Sequence, residues 1–99
     1  MPRTSRIVIA GYPHHIIQRG HNRQPVFVTD GDFLYYLENL REWKDAYGCR
    51  VYAYCLMTNH VHLIIDPGED ERNLAGLMKR VAGRHTRYVN RLERRTVSL

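Results

Sequence analysis

Cysteine is scarce in this chain: Cys49 and Cys55 are the only two, in no metal-type spacing. A disulfide between them is not expected in a reducing compartment, and both thiols are expected buried or half-buried. Long apolar runs are missing too. None approaches the roughly 18–20 residues of a membrane span. The basic start Met1-Pro2-Arg3-Thr4-Ser5-Arg6 leads into no apolar stretch long enough for a signal peptide. No membrane partner and a cytoplasmic location are therefore expected. Repeats, low-complexity tracts and internal linkers are absent as well, so residues 1–99 are expected to form one domain. That length lies near the lower limit for a single self-sufficient core, and a hydrophobic content of 43% supports globular folding.

Acids are the other scarcity, and they are scarce at the two ends. Before Gly31 stand Arg3, Arg6, Arg19 and Arg23 against Asp30 alone. From Lys79 to Arg95 stand Lys79, Arg80, Arg84, Arg87, Arg91, Arg94 and Arg95 against Glu93 alone. With a net charge of +5, this polarity points to a polyanionic partner, most often nucleic acid.

What is present divides into five elements. Gly11-Tyr12-Pro13 punctuates the start of a strand through His14-His15-Ile16-Ile17-Gln18-Arg19. Ile16 and Ile17 fall on opposite faces, which predicts a central strand covered on both sides. After a polar loop, Val26-Phe27-Val28 re-enters the core. Thr29-Asp30-Gly31-Asp32 supplies helix caps, and Phe33, Tyr36, Leu37, Leu40, Trp43 and Tyr47 follow at helical spacing until Gly48 stops them. Val51–Asp66 reads as two strands on either side of a tight turn at Thr58-Asn59. Beyond Pro67-Gly68, Leu74, Leu77, Met78, Val81, Ala82, His85, Val89 and Leu92 mark the buried face of a second helix. Its Arg80, Arg84, Arg87, Arg91 and Arg94 step by four, three, four and three into one basic stripe, suited to tracking phosphates. The order β-α-β-β-α predicts an α+β, ferredoxin-like antiparallel sheet with two helices on one face. The last strand of that fold is missing or incomplete, with Arg95-Thr96-Val97-Ser98-Leu99 only its beginning.

The triplet His60-Val61-His62 carries the candidate chemistry. On a strand the two histidines share a face, with Cα atoms roughly 6.5–7 Å apart. Two imidazoles at that spacing can converge on one ion, while Val61, Leu63 and Ile65 hold the other face to the core. A His-x-His pair alone is more often cross-strand packing than a metal site, so its surroundings decide.

Those surroundings resemble a known family. Gly11-Tyr12-Pro13-His14-His15-Ile16-Ile17-Gln18-Arg19-Gly20-His21-Asn22-Arg23-Gln24, then Tyr54-Cys55-Leu56-Met57-Thr58-Asn59-His60-Val61-His62-Leu63, and then Arg87-Tyr88-Val89-Asn90-Arg91 are similar to the REP-associated tyrosine transposases. These are insertion-sequence-type, single-tyrosine members of the HUH superfamily. The resemblance covers nearly the whole chain. It implies binding of single-stranded DNA with hairpins, and phosphodiester cleavage and rejoining through a 5′-phosphotyrosine. It also implies a divalent ion, Mg²⁺ or Mn²⁺, on His60 and His62; ligand chemistry alone would have favoured Zn²⁺, Cu²⁺ or Ni²⁺. Arg19, Asn22, Arg23, Arg80, Arg84, Arg87 and Arg91 become the candidate DNA-binding residues.

One family feature has no counterpart: the later helix with a Tyr-Ile-x-x-Asn-Pro-Val-like motif that carries the nucleophile. The expectation is a C-terminally truncated transposase, inactive alone, holding half of an active site. Tyr88 is the alternative nucleophile, if Arg84, Arg87 and Arg91 lower its pKa; core packing or base stacking is the competing reading. A second reading of the whole chain is a non-catalytic nucleic-acid-binding module on a ferredoxin-like sheet, with Tyr52 and Tyr54 on a sheet face. Without a fourth strand the first strand is left at an edge, which predicts self-association as a homodimer through that edge, or marginal stability.

Overall fold

The computed structural model describes residues 7–19 and 26–98. Along the chain run β1 (His14–Arg19), α1 (Asp30–Ala46), β2 (Arg50–Leu56), β3 (His60–Asp66) and α2 (Arg72–Ser98). The element order and the α+β class match the sequence expectation. The sheet is antiparallel with order β1-β3-β2, so the strand carrying the histidine pair is the central one.

One face of the sheet is covered by both helices. Ile16 from β1 and Val61, Leu63 and Ile65 from β3 meet Tyr36 and Leu40 of α1, Leu74, Leu77 and Val81 of α2, and Val26 and Phe27 of the segment before α1. Alternation does this: Val61, Leu63 and Ile65 point one way, His60, His62 and Ile64 the other. Among the described residues, no element packs on the second face. β1 is therefore not a doubly covered central strand: Ile16 is buried, but Ile17 stands 45% exposed on the open face of an edge strand. Two adjacent isoleucines cannot distinguish an edge position from a central one.

The helix ends follow local chemistry. At the start of α1, the Thr29 hydroxyl accepts from the Asp32 amide at 3.3 Å, and the Asp32 carboxylate accepts from the Thr29 amide at 3.1 Å, a reciprocal capping box. Gly48 ends α1 at φ +67°, a conformation that favours glycine. α2 runs on to Ser98, so residues 95–98 are helical rather than the start of a strand. No proline or glycine follows Gly83 to stop it. Among the described residues, no helix is long and apolar enough to cross a membrane.

β2 contains an irregularity that redirects its side chains. Val51 pairs with Ile65, but Ala53 pairs with Ile64, so Tyr52 is an extra residue, a β-bulge. Past the bulge the parity of β2 is inverted. Tyr54 lies opposite core-facing Leu63, and Cys55 lies opposite His62 on the open face. Cys55 is accordingly exposed, contrary to expectation, while Cys49 is buried.

Candidate metal and DNA face

The open face collects the chemistry. Register places Arg19 opposite His60, Ile17 opposite His62 and His15 opposite Ile64, and directly opposed residues share a face. Cys55 joins from β2, opposite His62. Among the described residues, apolar burial on the helix side thus leaves three histidines, one arginine and one thiol on the other face.

The two motif histidines stand with ring centroids 6.2 Å apart. His60 Nδ1 lies 2.9 Å from the Asn59 side-chain oxygen. An amide oxygen only accepts, so Nδ1–H is the donor and His60 Nε2 keeps its lone pair. His62 Nδ1 lies 3.0 Å from His15 Nε2, with the two rings stacked at 5.3 Å. When His62 Nδ1 donates, its Nε2 is likewise free to ligate; when His15 donates, His62 Nε2 carries the proton and cannot. His15 thus bears on the tautomer of His62, as an outer partner does for a ligating imidazole. Among the described residues, no group of three or more His, Cys, Asp or Glu side chains forms a ligand cluster. The donor set suits an ion held by two imidazole nitrogens, with its remaining positions open to water or to a substrate oxygen.

Hydrogen bonds fix the frame of this face. The Val26 and Phe27 amides donate to the Thr58 carbonyl at 2.7 and 3.1 Å, tying the β2–β3 turn to the segment before α1. Tyr36, buried in α1, donates its hydroxyl to Gln18 of β1 at 2.8 Å, and burial raises its pKa. The hairpin and β1 are thereby both held to α1.

The basic stripe lies elsewhere. Arg80 and Arg84 of α2 sit over the Trp43 ring of α1, with guanidinium carbons 4.2 and 5.3 Å from its centroid. That contact belongs to the helical layer, on the far side of the sheet from His60 and His62. Arg87 and Arg91 are exposed farther along α2. Arg19 is the one described candidate arginine on the histidine face; Asn22 and Arg23 lie outside the described residues.

Tyr88 is held in place. Its hydroxyl donates to Asp32 Oδ1 at 2.7 Å, and its ring stacks on Tyr35 at 4.2 Å. The Asp32 hydrogen bond, reinforced by some burial, raises its pKa, and nearby Arg91 opposes this only in part. The lowered pKa expected from its arginine neighbours is absent, because the carboxylate is the group in contact.

Comparison with known proteins settles the family. A model described as "Transposase IS200 like" matches residues 9–97. The chain belongs to the IS200-like transposase family. No curated protein and no solved structure matches it. Membership makes this a single-tyrosine transposase family member, with a transposase-type, DNA-processing function. His15, whose neighbour His14 points to the covered side, is the residue that sequence reasoning passed over. Its alternation with Ile17 and Arg19 was the available signal.

Proposed function

We propose that this domain binds single-stranded DNA carrying hairpins and presents a phosphodiester to a divalent ion held by His60 and His62. The observation that carries the reading is the pair of imidazoles on the open face of the central strand, with His60 Nε2 left free by Asn59. Bound there, Mg²⁺ or Mn²⁺ would act as a Lewis acid on a non-bridging phosphate oxygen. The chain's own groups do the rest: Asn59 and His15 hold the two rings, and Arg19, opposite His60, supplies positive charge for a phosphate. Tyr88 is assigned to structure rather than nucleophilic attack, since its hydroxyl is given to Asp32. Tyr52 and Tyr54 line a groove against α1. The domain is accordingly proposed to bind metal and DNA without forming a phosphotyrosine by itself.

Mn²⁺ titration followed by electron paramagnetic resonance tests the pair directly. His60→Ala, His62→Ala and His15→Ala are each expected to weaken binding about tenfold or more, the last in line with the loss of an outer-shell partner. Unchanged Mn²⁺ affinity in the His60→Ala/His62→Ala double variant would overturn the site. Incubation with a hairpin oligonucleotide and Mg²⁺, followed by denaturant, is expected to leave no covalent protein–DNA species. A covalent species that survives in wild type and vanishes in Tyr88→Phe would return the nucleophile to Tyr88.

The exposed backbone edge of β1, with Ile17 beside it, is proposed as a self-association surface. Sedimentation velocity at micromolar concentration is expected to show dimers that Ile17→Lys converts to monomers. A monomeric wild type at that concentration contradicts it.

A further inference from the structure

On the covered side of the molecule, a groove of about 440 Å³ opens between α1 and the outer edge of β2. That volume lies within the range of small-ligand sites. Leu37 and Leu40 form its apolar floor, Tyr52 and Tyr54 one wall, and Arg41 and Lys44 the opposite rim. Each tyrosine is 56% exposed. Among the described residues, neither phenol ring meets another ring or makes a side-chain hydrogen bond. The lining holds two cations and no carboxylate. Lys44 pairs with Asp45 at 2.9 Å, but the pair joins adjacent residues at the surface, where solvent screens it and holds it weakly.

The bulge at Tyr52 creates this arrangement. With regular pairing, Tyr54 would share a face with His62; the extra residue turns it to the α1 side and turns Cys55 to the histidine face. Bulges of this kind re-aim side chains at functional positions. Two unpartnered phenol rings beside two cations form a stacking platform with a phosphate rim, the combination that takes a base and its backbone from a single strand. Tyr54 and Cys55 are neighbours in sequence on opposite faces of the sheet, with Cys55 opposite His62. A strand crossing the β2 edge would therefore join this groove to the histidine face.

We propose that the α1–β2 groove binds a nucleotide of single-stranded DNA, stacking its base on Tyr52 and Tyr54 and pairing its phosphate with Arg41 and Lys44. This rests on the reading of the domain as a single-stranded DNA binder and adds a second contact point, away from the metal ligands.

The test uses the 99-residue chain and a fluorescein-labelled ten-residue oligothymidine, followed by anisotropy in EDTA. Tyr52→Ala/Tyr54→Ala is expected to weaken binding tenfold or more, while Tyr52→Phe/Tyr54→Phe stays within twofold of wild type. Arg41→Ala is expected to flatten the dependence of affinity on salt. A 5-iodouracil-substituted oligonucleotide irradiated with wild type is expected to crosslink at Tyr52 or Tyr54, a readout independent of whether the variants fold. Wild-type affinity in the double alanine variant, with crosslinks elsewhere, overturns the groove and leaves DNA binding standing. Failure of wild type to bind oligothymidine or hairpin DNA overturns the underlying reading instead. A dimer that dissociates only in the double alanine variant would identify the occupant as a second copy, and the proposal would fail.

Discussion

Gly68→Ala is expected to lower the melting temperature of the domain by roughly 15 °C. Gly68 has φ +77°, and a Cβ built there would run into the carbonyl oxygen of Gly48. Two costs add. Left-handed backbone costs an L-residue about 1–2 kcal/mol, and forcing an atom into a filled site typically costs about 1–3 kcal/mol more. For a domain of this size each kcal/mol shifts the midpoint by roughly 4–8 °C. The site cannot relax cheaply, because three elements meet in it. The Gly68 amide donates to Asp66 at 2.8 Å, its carbonyl accepts from the Gly11 amide at 2.9 Å, and Asn73 of α2 donates to the Pro67 carbonyl at 3.3 Å. The same corner pushes the Cys49 thiol up to about 11, through burial and the nearby Asp66 charge. Gly11→Ala is the matched control: its φ is +80°, but a Cβ there meets nothing within 4 Å. It is expected to cost about 1 kcal/mol, the conformational part alone. Thermal unfolding followed by circular dichroism separates the two. Equal shifts would mean that the clash is relieved and only backbone strain counts.

The contrast between these glycines shows where sequence stops being informative. Periodicity placed α1 and α2 and the alternation of β3, because a helix or strand that buries one face repeats its apolar residues at a fixed interval. The His60/His62 face was legible for the same reason. Long-range facts were not. Nothing in Val51-Tyr52-Ala53-Tyr54 announces a bulge, which shows only in the pairing with β3. Two glycines twenty residues apart give no hint that one would fill the other's space. Arg80 and Arg84 did form a stripe with their neighbours, but only packing reveals that they cover Trp43 in the helical layer, away from the histidines. His15 was named only as part of a strand, because its partnership with His62 spans 47 positions and depends on the pairing of β1 with β3.

Asp32 is the second position where one substitution should be severe, and its effect should depend on pH. The carboxylate is buried and accepts from the Val28 amide at 2.7 Å, the Thr29 amide at 3.1 Å and the Tyr88 hydroxyl at 2.7 Å. It therefore caps α1 and ties α1 to α2 at once. Asp32→Ala removes a cap worth about 1 kcal/mol and leaves further donors without an acceptor at about 1–3 kcal/mol each where water cannot reach them, for a total near 3 kcal/mol. Tyr88→Phe removes one of the three bonds and is expected to cost about 1 kcal/mol. In a double-mutant cycle the two should be strongly non-additive, because Tyr88→Phe loses little once Asp32 is gone. Burial alone would raise the Asp32 pKa, but the hydrogen bonds from Val28, Tyr88 and Thr29 outweigh it and the net shift is downward. A carboxylate with a depressed folded pKa contributes stability that is complete above its unfolded value near 4 and disappears as pH falls through the folded one. His85 adds an earlier step. It lies among Phe27, Tyr35, Tyr36 and Tyr88, and donates from Nε2 to the Val26 carbonyl at 2.6 Å, while its buried Nδ1 has no partner among the described residues. Burial lowers its pKa, against smaller opposing effects from the Val26 carbonyl and Asp32. Protonating Nδ1 would place a charge in that aromatic box, so the folded state binds the proton less readily than the unfolded chain. Stability is then complete above about pH 6.5 and declines as pH falls from there toward the folded value. Urea midpoints measured from pH 8 to pH 3 should fall in two stages. His85→Gln should flatten the first, below about pH 6.5, and Asp32→Asn the second, below about pH 4. A first stage that persists unchanged in His85→Gln would overturn its assignment to His85.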